Sequence, residues 1–183
     1  PRALGTHIAA DALQSFRDRP REQLERRVRA AVAESLAAAA RRQGDASVAD
    51  RLYRAALADY RLLGERRRAA WVLGSLGGIA LLAGFDAEAE SLLTEALAAR
   101  RAIGDERMIG NTLYDLSQAH YQLRRYESAR ACLEESRGIR ERTGQSAQLG
   151  STLQFLGVTL AALGEPDSAW VCFERGIALT SSA

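Results

Sequence analysis

Few residues of this 183-residue chain could do acid–base or covalent work, and their spacing assembles no site. His7 and His120 are the only histidines, and no pair of Cys or His has the spacing of metal ligands. Asp115 and the Glu134-Glu135 pair fall in helical stretches with no partner that would tune them as acid and base. The run Gly74 to Gly78 is not a phosphate loop, because it lies inside a helical pattern and lacks the following Lys and Ser or Thr. Neither catalysis, a metal nor a cofactor is therefore expected. The chemistry on offer is hydrogen bonding. Asn111, Tyr114, Gln118 and Tyr121 follow an i, i+3, i+7, i+10 spacing, one stripe of a helix opposite Leu113 and Leu116. Asn and Gln can pair with the N–H and C=O groups of an extended peptide, and Tyr adds amphipathic contact area. The same residues would also serve as the polar side of an ordinary solvated helix, and both readings stand at this point.

That stripe needs a helix to carry it, and the whole chain reads as helices. Ala, Leu, Arg and Glu dominate, there are only 3 Pro, and no segment alternates with period two. Thr6 to Arg17 has Ile8, Ala9, Ala12, Leu13 and Phe16 at helical spacing, with Thr6 as its cap and Pro20 as its end. A helix from about Arg21 to Gln43 would use Leu24, Val28, Val32 and Leu36 as its apolar face, with Gly44 stopping it. The next runs to Leu63. Further helices are predicted near 66–83, 86–103, 106–123, 126–142, 146–163 and 166–180, separated by short turns, most of them at a Gly. The uncharged stretch Ala69 to Phe85 is too short and too rich in Gly for a spanning helix.

Charge and thiols narrow the partners. All 25 basic residues are Arg, which suggests a GC-rich bacterial genome, and the net charge of +2 argues against a dedicated nucleic-acid binder. Glu22, Glu25 and Glu34 interleave Arg26, Arg27 and Arg29, so that face is expected to be ion-paired. Arg66 to Arg68 sit in a helix's first turn, where positive charge opposes the dipole and could meet an acidic partner. Cys132 and Cys172 stand forty residues apart, too far in a stacked array to bridge, and read as small buried thiols. No signal peptide or initiator Met is visible, so the chain is expected to be a cytoplasmic piece of a longer protein.

Forty is also the period of everything else. Gly64, Gly104 and Gly144 share it, as do Leu73, Leu113 and Leu153, Leu76, Leu116 and Leu156, and Ala49, Ala89, Ala129 and Ala169. The first helix of each unit reads Leu73-x-x-Leu76-Gly77-x-x-Ala80, Leu113-x-x-Leu116-Ser117-x-x-His120 and Leu153-x-x-Leu156-Gly157-x-x-Leu160. The second reads Ala89-x-x-x-Leu93-x-x-Ala96, Ala129-x-x-x-Leu133-x-x-Ser136 and Ala169-x-x-x-Phe173-x-x-Gly176. This resembles the tetratricopeptide repeat, in the forty-residue form of cell-polarity scaffolds, kinesin light chains and bacterial regulators. The resemblance departs from the usual pattern in its period, in Leu for the first aromatic, and in the missing Pro between units. Small residues at 77, 117 and 157 belong where two helices cross.

The resemblance implies an all-α fold, a right-handed α-solenoid of antiparallel helix pairs with about nine helices. Its parts would be an N-terminal helix over 1–20, a degenerate unit over 22–64, and units over 65–104, 105–144 and 145–181. It implies that first helices line a concave groove for a peptide or protein segment. The groove residues would be Trp71, Gly74, Gly78, Asn111, Tyr114, Gln118, Tyr121, Gln122, Ser151 and Gln154, with Ser75, Phe155 and Val158 beside them. Gly74 and Gly78 would leave a smooth trough beside Trp71. His120 would take a core or rim role. The expected function is a non-catalytic scaffold. The alternative is a sensory or oligomerisation segment of a bacterial transcription regulator or signalling ATPase, self-associating through the exposed helix Asp167 to Leu179.

Overall fold

The computed structural model describes the backbone of residues 2–181 and the side chains of residues 20–180. Eight helices run in order: α1 (Arg2–Arg42), α2 (Ala46–Leu62), α3 (Arg66–Leu82), α4 (Asp86–Ile103), α5 (Glu106–Gln122), α6 (Tyr126–Arg142), α7 (Ser146–Ala162) and α8 (Pro166–Ser181). No strand occurs among the described residues. The count is one short of nine because α1 continues through Pro20. Proline's fixed φ is itself helical, so the helix continues although the ring removes one backbone hydrogen bond and crowds the carbonyl four residues back. The apolar positions and the cap expected at Thr6 to Arg17 lie outside the described side chains.

Turns recur every twenty residues. Gly44, Gly64, Gly84, Gly104, Gly144 and Gly164 all have positive φ, and Arg124 takes the same place with a φ of 61°. The left-handed residue lets the next amide reach back to the carbonyl five residues earlier, closing the helix end. The bonds Asp45 N–H to Ala40 O, Asp105 N–H to Arg100 O and Gln145 N–H to Arg140 O, at 2.9, 3.2 and 3.0 Å, are three of seven such closures. Asp45 and Asp105 then cap the helices that follow, accepting from Val48 and Met108.

The chain divides into two compact units, Pro1–Ala69 and Ala70–Ala183. In the first, α1 packs on α2 through Ala30, Ala33, Ala37 and Ala40 against Ala49, Tyr53, Ala56 and Tyr60. The face expected to be buried, Leu24, Val28, Val32 and Leu36, is exposed instead. Close approach of two helices favours the small side chains, so the alanine stripe takes the contact and the larger residues are left outside. Polar ties reinforce the pair: Arg29 grips the buried Asp59 with both Nε and Nη2, at 2.7 and 2.5 Å. That grip holds the Asp59 carboxyl below its usual range. Arg68 is not left for an acidic partner. It bonds Glu34 at 2.9 Å and lies over the Tyr60 ring.

In the second unit α4, α5, α6, α7 and α8 pack each on the next. A Cβ at Gly77 would meet the Leu93 side chain, and one at Gly157 would stand 3.0 Å from the Ala169 carbonyl. Ser117 fits the same place fully buried, its hydroxyl turned back to the Tyr114 carbonyl. Cys172 is a buried free thiol and Cys132 a half-buried one, both pushed up by burial, Cys132 to about 11.

Candidate peptide-binding surface

Helix α5 buries Ile109, Thr112, Leu113, Leu116 and Ala119. The periodicity that sinks this face leaves Asn111, Tyr114, Asp115, Gln118 and Tyr121 half-buried on the opposite side and Gln122 exposed. On α7 the matching positions are Ser151, Gln154, Phe155 and Val158. Phe155 joins the two helices: the Tyr114 ring meets it edge-on at 5.9 Å and the Tyr121 ring lies 5.4 Å away. The Tyr126 ring lies tilted against Tyr121, 5.1 Å away. Tyr114, Ser151, Gln154, Phe155 and Val158 line one shallow cavity of about 570 Å³, closed on the far side by Phe173 and Ile177 of α8. An aromatic and aliphatic floor rimmed by a hydroxyl and an amide can hold an apolar side chain while pairing with the backbone beside it.

The other expected groove residues lie elsewhere. Trp71 is a third exposed on α3. Gly78 faces open space, with no atom within 4 Å of where its Cβ would be. The space beside Gly74 is already taken, since a Cβ there would fall against the guanidinium of Arg100. Asn111 is also engaged: its Oδ1 accepts from Arg140 at 3.2 Å, and its amide points at the Met108 sulfur.

Arg100 and Arg140 were not expected in the site. They stand forty residues apart on α4 and α6, only 5% and 3% exposed. Each donates through Nη1 to the threonine on the next first helix, Arg100 to Thr112 and Arg140 to Thr152. Each also reaches a carbonyl one turn earlier, Met108 at 3.4 Å and Gln148 at 2.6 Å. Arg140 passes over the Tyr114 ring at 5.1 Å, and its buried Nε has no hydrogen-bond partner. The register makes these contacts one device. Tyr60, Arg100, Arg140 and Thr180 share a position, as do Glu34, Gly74, Tyr114 and Gln154, and each member of the first set touches its counterpart in the second. That shared spacing was the sequence signal.

Between the two arginines lies Asp115, within the field of both. Burial pushes its carboxyl up to about 6, against the pull of Arg100 and Arg140. Burial likewise lowers both guanidinium values and raises the Tyr114 phenol. His120 sits behind the surface, its Nδ1 3.6 Å from Glu90, and burial holds it below the usual histidine range.

Helix pairs on a forty-residue period define a helical-repeat protein. Residues 108–182 match the family model of the tetratricopeptide repeat, and the fold over most of the chain is that of tetratricopeptide-like repeat structures. Among solved structures it is similar to BtubC from P. vanneervenii, with a TM-score of 0.78 and 22% identity over 84% of this chain and 63% of that one. It is similar to a Rap protein complexed with competence and sporulation factor, with a TM-score of 0.73 and 20% identity over 83% and 42%. A putative kinesin light chain of Podosopora anserina, with nearly identical TPR-like repeats, gives 0.68 and 19% over 84% and 76%. The chain thus spans less than two thirds of the first two, and at these identities the likeness is one of fold. No curated protein sequence matches. Among the described residues no helix is long and apolar enough to cross a membrane.

Proposed function

We propose that this chain is a non-catalytic binding module that takes an extended peptide or protein segment along the exposed sides of α5 and α7. The observation that carries the reading is the cavity where Tyr114, Phe155, Phe173 and Ile177 form an apolar floor beside Ser151 and Gln154. Half-exposed aromatics with their rings fixed by neighbours offer contact area at little entropic cost, which suits them as anchors for a partner. Gln154 and Gln118 supply the amide groups that an extended backbone needs. A fold relative, the Rap protein, holds a bound factor, which supports recognition as the use of this fold. The titratable groups support binding over reaction: Asp115 faces two guanidiniums, and His120 lies among Glu90 and Arg125 behind the surface.

A random-peptide display library panned on the full chain tests this. Selected sequences are expected to share an apolar anchor and to bind Tyr114→Ser with Gln154→Ala at least about tenfold more weakly, with the melting temperature little changed, since one good anchor contributes 1–2 kcal/mol. Undiminished binding to that double variant would place the site elsewhere.

A further inference from the structure

Among the described residues, a line of exposed large apolar side chains runs along α1, outside the α5–α7 cavity. Leu24, Val28, Val32 and Leu36 follow one another every four residues along α1, 60%, 55%, 52% and 53% exposed. With Ala33 and Leu52, and with Glu25 and Arg29 at its edge, they line a shallow trough of about 600 Å³. The repeat register says what fits there. Val32 corresponds to Thr112 and Thr152, and Leu36 to Leu116 and Leu156. Those four are at most 5% exposed, on faces of α5 and α7 that α4 and α6 cover. The trough on α1 is thus the seat of a second-type helix, left empty.

The chain carries the matching shape. On α4, Leu97 is buried in one cluster with Ile109, Leu113 and Leu116 of α5. The residue in that position on α8 is Ile177, which is 57% exposed. We propose that two copies of this chain associate head to tail, with α8 of one seated in the α1 trough of the other as α4 is seated on α5. Continuity with the contact that already joins successive helix pairs is what selects a second copy as the occupant. The two faces differ, so the contact is heterologous and adds copies rather than closing a pair.

Light scattering of the full chain during gel filtration, from low to high micromolar, provides the test. Wild-type mass is expected to climb with concentration past that of a dimer. Val32→Glu and Ile177→Glu should each stay monomeric with unchanged helicity and melting, and Leu36→Arg should repeat the first result. Mixed in equal amounts, Val32→Glu and Ile177→Glu should form dimers and stop there, because each retains the one face the other has lost. A wild type that stays monomeric throughout, a Val32→Glu variant that still associates, or a mixture that stays monomeric would overturn the proposal. Ile177 also floors the peptide cavity, so the α1 variants separate the two readings: Val32→Glu and Leu36→Arg should bind selected peptides normally while losing association.

Discussion

A carboxylate between two guanidiniums would ordinarily be held well ionised, yet Asp115 is displaced the other way, to about 6. The cause is competition: neither Arg100 nor Arg140 donates a hydrogen bond to it, because both spend their strongest donors on Thr112, Thr152 and the carbonyls beside them. Attraction across a gap is then weaker than the loss of water. A raised acid pKa makes the folded state hold its proton longer than the unfolded state. Its contribution is therefore neutral at low pH, falls as pH rises through 3.8, and is fully unfavourable above about 6. Asp115→Asn is expected to be more stable than wild type at pH 7, by roughly 2 kcal/mol once part exposure is discounted, and equal to it near pH 3. Urea melts of the two proteins across that range decide it. An asparagine variant weaker at pH 7 would mean that the arginine pair outweighs desolvation.

The helices carry a different constraint, which lives in their ends. Six of the seven turns place Gly at a positive φ, and the seventh places Arg124 there. A side chain in that conformation costs about 1–2 kcal/mol, partly offset by the extra freedom that Gly has when unfolded. Arg124→Gly is expected to raise stability by about 1 kcal/mol, since what it gives up among the described residues is an exposed bond to the Tyr126 hydroxyl. A variant that melted earlier in urea would show that this bond matters more than the backbone. The turns were also the easiest thing to read from the chain, because Gly at a fixed interval has one backbone reason. Faces were harder. Leu24, Val28, Val32 and Leu36 have the spacing and size of a core stripe, and single-sequence periodicity cannot say that alanines across the helix make the contact. The candidate residues on α5 and α7 follow from the same period, whereas no single helix marks Arg100 and Arg140, because an arginine is ordinarily a surface residue. Comparing positions forty apart, rather than judging each helix alone, exposes both.

At the scale of the molecule, stability in a repeat array is a sum of neighbouring contacts, so it need not be uniform. The first compact unit joins α1 to α2 mainly through alanines, six of them at 9% exposure or less, with Tyr53 and Tyr60 supplying most of the volume. The second unit buries Leu93, Leu113, Leu116, Leu133, Leu153 and Leu156 along its length. Apolar stabilisation scales with area removed from water, at about 25 cal/mol per Å², and an alanine offers far less of it than a leucine. The ties that compensate in the first unit are charged, Arg29 to Asp59 and Arg68 to Glu34, each with an arginine more than half exposed. Pairs whose arginine is so exposed weaken in salt. Native-state hydrogen exchange is therefore expected to show amides of α1 and α2 opening at lower free energy than those of α5 to α7, with the gap widening in 1 M salt as screening at a Debye length of about 3 Å removes the ion pairs. Equal protection in all these helices would mean that the alanine interface is packed tightly enough to make up the difference in area. A gap that did not respond to salt would assign the weakness to the alanines alone.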